Sequence, residues 1–323
     1  MPIDSQNMLQ VLQNFAKQCR EALTLPKGIK ISGNINNIFI CGMGGSAIAG
    51  DLLECYLANT KIPIFVIRNY ELPKFVNEYS VVFVVSYSGN TEETLSAYKS
   101  AIERKAKIIC ITSNGILEKE GTKVIKIPSG LEPRCALGYL FFPMLGVLHN
   151  SNIINVENEE LNEMLALLKD VNYYEEKAQE IVKTIDNKIP IIYASNLFKP
   201  IAFRWKTQIN ENSKYPAFYN VFSELNHNEI VGYQHMNRKD FIVIMIKDEF
   251  DNPRIKKSME ITRDIIERWV DVKEVYTRGK SLLARMFSTI YLGDFVSYYL
   301  ALRNRVDPTP IEIIQYLKKK LAE

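Results

Sequence analysis

The chain has 323 residues, 47% of them hydrophobic and 24% charged, a composition typical of a globular protein long enough for two domains. A net charge of +3 without a basic stripe argues against nucleic acid as a partner. Five cysteines without paired spacing, an N-terminus without a signal-peptide pattern and the lack of an apolar run of transmembrane length predict reduced thiols, a cytoplasmic location and no membrane contact.

The first half of the chain alternates between helix and strand patterns. An amphipathic helix with apolar residues from Leu9 to Leu23 is predicted first. Predicted strands follow at residues 38–41, 62–67, 81–86, 107–112 and 124–127, and predicted helices at 47–59, 91–103 and 136–149. This alternation predicts a doubly wound parallel sheet, whose ligands bind at the carboxyl ends of the strands.

The second half repeats this layout without visible sequence similarity to the first. A polar segment at 150–158 and a connecting helix at 159–170 lead to strands at 189–194, 241–246 and 272–276, with helices at 200–211, 253–269 and 281–301. A last helix is predicted at 311–321. We therefore predict an α/β protein of two doubly wound, flavodoxin-like parallel-sheet subdomains, residues 1–155 and 156–323, with a C-terminal helix.

The segment Val81–Thr94 has the features of an anion-binding turn. A buried-strand pattern leads into a turn that contains Ser86 and Ser88, where Gly89 permits unusual backbone angles. Thr91 is then predicted to cap a helix. Because free backbone N–H groups and hydroxyls at a helix N-terminus attract anions, this segment predicts binding of a small phosphorylated molecule.

The glycine-rich loop Gly42–Ala47 also follows a strand and opens a helix. It resembles a dinucleotide fingerprint, but the strand before Arg68–Glu71 ends without a clear ribose-binding carboxylate. A phosphosugar, approached closely by the glycine backbone and by the hydroxyl of Ser46, fits the loop better. A purely structural tight turn is the remaining interpretation.

Two polar clusters in the second half, 206–214 and 224–232, contain the best candidates for proton transfer. Such clusters are costly inside a domain unless they serve a site or an interface. Glu211 fits a base for a carbon-bound proton, and His227 titrates where it can act as acid and base. Each also fits a structural role, as a capping glutamate and a surface histidine. Their occurrence together with a phosphate turn favours catalysis.

Metal-dependent and acyl-transfer chemistry are disfavoured by the same residues. The three histidines, His149, His227 and His235, have poor ligand spacing, and no carboxylate or cysteine completes a set. Ser86 and Ser88 lack the nucleophile-elbow pattern. The predicted reaction uses no metal.

Together these motifs resemble the bifunctional phosphoglucose/phosphomannose isomerases, a family built from two sugar-isomerase (SIS) domains. The resemblance spans nearly the whole chain. Its motifs are Gly42–Asp51, Ser86–Thr94, Pro133-Arg134, Asn210–Asn212, Asn226–Glu229 and Asp307–Pro310.

The resemblance implies a role for each matched position. Substrate binding would fall to residues at the strand ends, namely Gly45, Ser46, Ser86, Ser88 and Thr91. Glu211 would move a proton between C2 and C1, and Arg134 would stabilise the enediolate. His227 would assist ring opening from the partner subunit, which implies an obligate homodimer.

Two further positions are implied in the C-terminal segment. Thr309 would leave room for the enediol intermediate to rotate, so that both C2 epimers react. Lys318, one of three adjacent lysines, would approach the ring oxygen.

The resemblance implies reversible isomerisation of glucose 6-phosphate and mannose 6-phosphate with fructose 6-phosphate, without a cofactor. A non-catalytic SIS protein that senses sugar phosphates is the alternative from another class. It would have no chemical reason to keep Glu211 and His227 at this spacing. An amino-sugar phosphate isomerase is the second alternative.

Overall fold

The computed structural model describes residues 3–321 and divides the chain into two compact units. One unit is Asn14–Leu165, and the other combines the residues up to Gln13 with those from Ala166 onward. The first unit thus ends beyond position 155, where the sequence predicts the boundary. Within residues 3–321, no helix has the length and apolar character needed to cross a membrane.

The N-terminal unit contains a parallel sheet of five strands in the order β2-β1-β3-β4-β5. The strands are β1 (Asn37–Cys41), β2 (Ile64–Ile67), β3 (Ser80–Val85), β4 (Lys107–Thr112) and β5 (Val124–Lys126). The order reverses between β1 and β3, which makes their carboxyl ends the expected ligand crevice. Every residue of β3 is buried, as expected for a strand covered on both faces.

Helices precede, connect and follow these strands. They are α1 (Met8–Gln13, part of the other unit), α2 (Phe15–Ala22), α3 (Gly45–Tyr56), α4 (Glu92–Glu103), α5 (Gly115–Glu120), α6 (Leu137–Asn150) and α7 (Asn158–Leu168, which extends past the end of this unit). The single helix predicted from Leu9 to Leu23 is two helices, because Asn14 between them has a non-helical ψ of 6°. Ala97 and Ala101 of α4 join the core formed with β3, which positions the start of α4 beside the end of that strand.

The C-terminal unit repeats the layout in a parallel sheet of four strands. These are β6 (Ile189–Ser195), β7 (Phe218–Phe222), β8 (Phe241–Lys247) and β9 (Asp271–Tyr276), in the order β7-β6-β8-β9. This order corresponds to β2-β1-β3-β4, so the predicted pair of doubly wound subdomains is confirmed. Strand β7 was not predicted, because Asn220 interrupts a short aromatic segment between two polar clusters.

Helices of this unit carry the proposed catalytic segments. They are α8 (Val171–Ile185), α9 (Lys199–Ser213), α10 (Pro253–Ile266), α11 (Leu282–Arg303) and α12 (Glu312–Leu321), with 3-10 helices at Glu224–His227 and Glu229–His235. The predicted C-terminal helix is therefore present as α12. Helix α11 is buried over most of its 22 residues and forms the centre of the unit.

Candidate active site

The hydroxyl-rich turn after β3 is held by its own side chains. Ser86 is buried, and its Oγ lies 3.0 Å from Oγ1 of Thr91 and accepts the backbone N–H of Gly89 at 3.1 Å. Oγ of the exposed Ser88 accepts the N–H of Asn90 at 3.4 Å. The structure thus brings the three predicted hydroxyls to the N-terminus of α4, where a phosphate is favoured.

The prediction that Thr91 caps α4 is correct in position but wrong in its hydrogen bond. Thr91 occupies the N-cap position of α4 with extended backbone, but its side chain makes no capping hydrogen bond. Its hydroxyl instead faces Ser86. The first turn of α4 consequently keeps backbone N–H groups that the threonine does not satisfy, which suits an anion site.

Gly89 is required where the turn meets the loop after β4. It has φ of 68°, and a Cβ there would lie 1.8 Å from the carbonyl oxygen of Asn114. The side chain of Asn90 accepts the N–H of Ile116 at 3.0 Å, so the two loops are also hydrogen-bonded. The turn is therefore supported by a neighbouring loop as well as by its own hydroxyls.

The glycine loop after β1 lies against the segment that carries Arg134. A Cβ on Gly45 would lie 2.8 Å from the carbonyl oxygen of Pro133, so only glycine permits this approach. Ser46 is buried at the start of α3, and its Oγ accepts the N–H of Tyr87 at 3.4 Å. The predicted substrate-binding residues Gly45 and Ser46 are thus placed between the hydroxyl turn and the Arg134 segment.

Arg134 is almost fully buried in a 3-10 turn, Pro133–Cys135. Its Nη1 forms an ion pair with Oε2 of Glu132 at 2.9 Å. A buried guanidinium needs such a partner because desolvation of an isolated charge is costly. Sequence reasoning missed Glu132, although its position two residues before the arginine was a usable signal.

Glu211 lies in the last turn of α9, at the helix end that the sequence predicts. It lines a cavity of about 550 Å³ within the C-terminal unit. The other lining residues come from the end of α9, the loop after α11 and the start of α12: Asn210, Lys214, Val306, Asp307, Pro310, Ile311, Glu312, Ile313 and Ile314. Glu211 therefore borders a space large enough for a small ligand.

Helix α9 is fixed by a buried polar stripe against α11. Arg204 and Gln208 both donate to the carboxylate of Asp294, at 2.8–3.1 Å. One turn further on, Asn212 Nδ2 donates to Ser297 Oγ at 2.9 Å. Paired polar groups in an apolar interface allow only one register of the helices, so they determine where Glu211 is placed.

Thr309 is buried in the loop between α11 and α12, and its sequence neighbours Asp307 and Pro310 line the cavity. Asp307 Oδ1 accepts the N–H of Thr309 at 3.0 Å. Burial favours the neutral carboxyl of Asp307, but hydrogen bonds from Ser5 and from the Thr309 backbone outweigh it and lower the pKa of Asp307. The structure thus brings the Thr309 loop to the Glu211 cavity.

His227 is not among the described residues that line this cavity. It is exposed at the end of a 3-10 helix, between two anchored neighbours. Asn226 is fixed to α10 by Nδ2 to Ser258 Oγ at 2.6 Å and by Thr262 Oγ1 to its Oδ1 at 3.0 Å. On the other side, Glu229 accepts from Asn220. The histidine is therefore held at the surface of its own unit.

Lys318 is likewise outside the cavity. It lies on α12, whose described residues are all exposed, and only the first turn of that helix reaches the cavity lining. Within each unit the structure thus groups the predicted phosphate ligands with Arg134 and groups Glu211 with the Thr309 loop, but it leaves His227 and Lys318 apart.

Two domain matches agree with this duplicated architecture. Residues 33–142 match the SIS domain, and residues 174–321 match the bacterial phospho-glucose isomerase C-terminal SIS domain. In fold, the chain is similar to the C-terminal domain of glucosamine-fructose-6-phosphate aminotransferase from Francisella tularensis, with a TM-score of 0.74, 18% identity and coverage of 93% of this chain and 96% of that one. The protein is therefore of the tandem SIS-domain class.

Sequence similarity defines the family more narrowly. A bifunctional phosphoglucose/phosphomannose isomerase of Caldicellulosiruptor bescii is 45% identical over 98% of this chain and 99% of its own. The chain belongs to the bifunctional phosphoglucose/phosphomannose isomerase family. A D-glucosamine-6-phosphate 4-epimerase of Sulfolobus acidocaldarius is 32% identical over 86% of this chain and 87% of its own.

Proposed function

We propose that this chain catalyses the reversible isomerisation of glucose 6-phosphate and mannose 6-phosphate with fructose 6-phosphate. The observation that carries the proposal is that Glu211 lines a cavity, in a member of this isomerase family that also has a hydroxyl-lined helix N-terminus. The first feature suits proton transfer and the second suits binding of a phosphate. A non-catalytic sensor needs only the second.

The reaction needs one base and a stabilised anion. Glu211 takes the proton from C2 of the open-chain aldose, and the electrons of the C–H bond form the C1–C2 double bond of a cis-enediolate. The hydroxyl proton on O2 moves to O1, and the same carboxyl returns its proton to C1, which leaves a ketone at C2 and a hydroxyl at C1. The sugar is neither oxidised nor reduced overall, so the proposal includes no cofactor.

Arg134 is the proposed partner of the enediolate charge. Its guanidinium is buried and fixed by Glu132, so little reorganisation is needed when negative charge develops. Gly45, Ser46, Ser86, Ser88 and Thr91 are the proposed substrate-binding residues. Their placement at the ends of β1 and β3 supports that role.

Thr309, His227 and Lys318 are assigned the remaining roles. Thr309 leaves space for the enediolate to present either face, so that both C2 epimers are substrates. Its position beside cavity-lining residues supports this assignment. His227 assists ring opening, and Lys318 approaches the ring oxygen.

We propose a homodimer in which His227 serves the site of the partner subunit. The exposure of His227 outside the Glu211 cavity supports this arrangement. Helix α12 gives further support, because Ile313, Leu317 and Leu321 are 85%, 56% and 77% exposed and recur every fourth residue. A helix of ten residues is marginal alone, so this apolar stripe calls for a covering surface.

A cytoplasmic location completes the proposal. All five cysteines are buried thiols, and burial raises the pKa of Cys41 and Cys110 to about 12. Such thiols are unreactive and suit a reducing compartment.

A coupled assay with each aldose phosphate, with and without a strong chelator, tests this function. We expect fructose 6-phosphate to form from both aldoses and the chelator to have no effect. Glucosamine 6-phosphate is the third substrate, since one relative carries the name of an epimerase of that sugar. Turnover of the amino sugar alone would favour the amino-sugar alternative, and binding of all three without turnover would favour a sensor.

A further inference from the structure

Tyr87 connects three strand-end loops of the N-terminal unit. Its backbone N–H donates to Ser46 Oγ in the loop after β1. Its carbonyl accepts the hydroxyl of Ser113, after β4, at 2.6 Å and the N–H of the same residue at 3.1 Å. Tyr87 itself lies between Ser86 and Ser88 in the hydroxyl turn and is only 6% exposed. The backbone of Tyr87 is therefore hydrogen-bonded to the loops after β1 and β4, the two strands that flank β3.

The phenol of Tyr87 reaches a fourth segment, the one that leads to Arg134. Its hydroxyl donates to the carbonyl of Pro128 at 3.0 Å and accepts the N–H of Leu131 at 2.9 Å. Burial raises the pKa of this phenol, so it remains protonated and able to make both bonds. Leu131 is followed directly by Glu132 and by the 3-10 turn that contains Arg134.

This arrangement couples two parts of the proposed site. One part is the turn that would bind the phosphate, and the other is the loop that carries Arg134, the proposed partner of the enediolate. They meet where Leu131 donates to Tyr87, two residues that are 44 positions apart in sequence. Exposed Gly130, with φ of 91°, lies within the loop and gives its backbone more conformational freedom than another residue would. The two hydrogen bonds of the Tyr87 hydroxyl restrict that freedom.

We propose that Tyr87 is a positioning residue, which sets the place of Arg134 relative to the phosphate turn through its bonds to Pro128 and Leu131. This inference rests on the proposed isomerase function. A guanidinium displaced by a fraction of an ångström stabilises the enediolate less, whereas the phosphate contacts made by backbone and hydroxyls of the turn remain. Loss of the Tyr87 hydroxyl should therefore lower kcat and leave KM nearly unchanged.

The test compares Tyr87→Phe with Tyr98→Phe in the full-length protein. Tyr98 is a matched control, because it is also 6% exposed, lies in the same unit and donates its hydroxyl to a backbone carbonyl, that of Glu120, at 2.7 Å. We expect Tyr87→Phe to lower kcat on the order of tenfold to a hundredfold. KM should change by less than about threefold. Tyr98→Phe should keep the wild-type kcat.

A double-mutant cycle with Arg134→Ala separates positioning from general support of the fold. If Tyr87 acts through Arg134, then Tyr87→Phe lowers kcat in the wild-type background and has no further effect in the Arg134→Ala background. Equal effects in both backgrounds would overturn the proposal. Should Tyr87→Phe fail to fold, Gly130→Ala takes its place in the cycle, because a side chain at φ of 91° strains the backbone of the same loop.

The wild type is assayed first so that two failures can be told apart. Absence of activity on both aldose phosphates would overturn the proposed function and this inference with it. An active wild type with equal kcat in Tyr87→Phe and Tyr98→Phe would overturn the role of Tyr87 alone.

Discussion

The side-chain amine of Lys214 donates to the backbone carbonyl of Asp307 and so ties the end of α9 to the loop that carries Thr309. Lys214 has a left-handed backbone, with φ of 50°, in the residue directly after the helix. Glycine is the usual residue there, since a side chain in this conformation costs about 1 kcal/mol. A lysine is therefore retained against the local preference of the backbone.

Lys214→Gly should separate stability from activity. The substitution removes the strain of a side chain in a left-handed backbone. We expect the free energy of unfolding to equal that of the wild type or to exceed it by about 1 kcal/mol. Losing the contact with Asp307 should nevertheless lower kcat on the order of tenfold and alter the ratio of rates on the two aldose phosphates.

Lys105→Gly is the matched control for this experiment. Lys105 is exposed, lies two residues after the end of α4 and also has a left-handed backbone, with φ of 57°. It should gain the same stability without a change in kcat. Unaltered kinetics in Lys214→Gly would show that the contact has no part in the reaction.

Gly89→Ala should weaken phosphate binding by distorting the hydroxyl turn. The added Cβ meets the Asn114 carbonyl, which must move together with the loop after β4. We expect a loss of several kcal/mol in the free energy of unfolding and a higher KM for both aldose phosphates. Gly28→Ala has a similar φ, 79°, and meets nothing within 4 Å, so it measures the backbone cost alone. Similar losses in both variants would contradict the steric argument.

Local patterns were sufficient to predict the hydroxyl turn and the end of α9, because each depends on neighbours within a few residues. The predicted capping hydrogen bond of Thr91 was wrong, because the hydroxyl of Thr91 pairs instead with Ser86, five residues away. The pairing of Tyr87 with Leu131 depends on the packing of four loops, and no local spacing encodes it. The same holds for Lys214 and Asp307, which are 93 residues apart.

Asp307→Asn should destabilise the protein in a pH-dependent way. Its folded-state pKa lies below the usual 3.8, so the carboxylate contributes stability that is present above that value and lost as the pH falls through the lower folded-state pKa. Urea unfolding at pH 7 should give a difference of about 1 kcal/mol from the wild type, shrinking below pH 3.8. Exposed Asp240→Asn is the control. A difference that persists at low pH would exclude the carboxylate as its source.

Glu211→Gln should abolish proton transfer while the substrate still binds. We expect kcat to fall by roughly 10²–10⁴-fold, with KM near the wild-type value, because the amide has a similar shape but cannot accept the proton. Exchange of the C2 hydrogen with deuterated solvent, followed by NMR, should slow in parallel. The exposed Glu260→Gln serves as the control. Unchanged turnover in Glu211→Gln would refute the assignment of the base.

Mixed dimers test whether His227 acts across the subunit interface. Chains with Glu211→Gln and chains with His227→Ala are each expected to be nearly inactive as homodimers. If each site takes Glu211 from one subunit and His227 from the other, a mixed dimer has one complete site and one site that lacks both groups. Equal mixing makes half of the dimers mixed, so about a quarter of the wild-type activity should return.

If Glu211 and His227 of the same chain form a site, every site in the mixed dimer lacks one group and no activity returns. Subunit exchange is verified independently, with two affinity tags and recovery of dimers that carry both. Exchange without recovered activity would therefore place His227 in the site of its own subunit. It would also require the exposed histidine to move toward the Glu211 cavity, because the described lining does not include it.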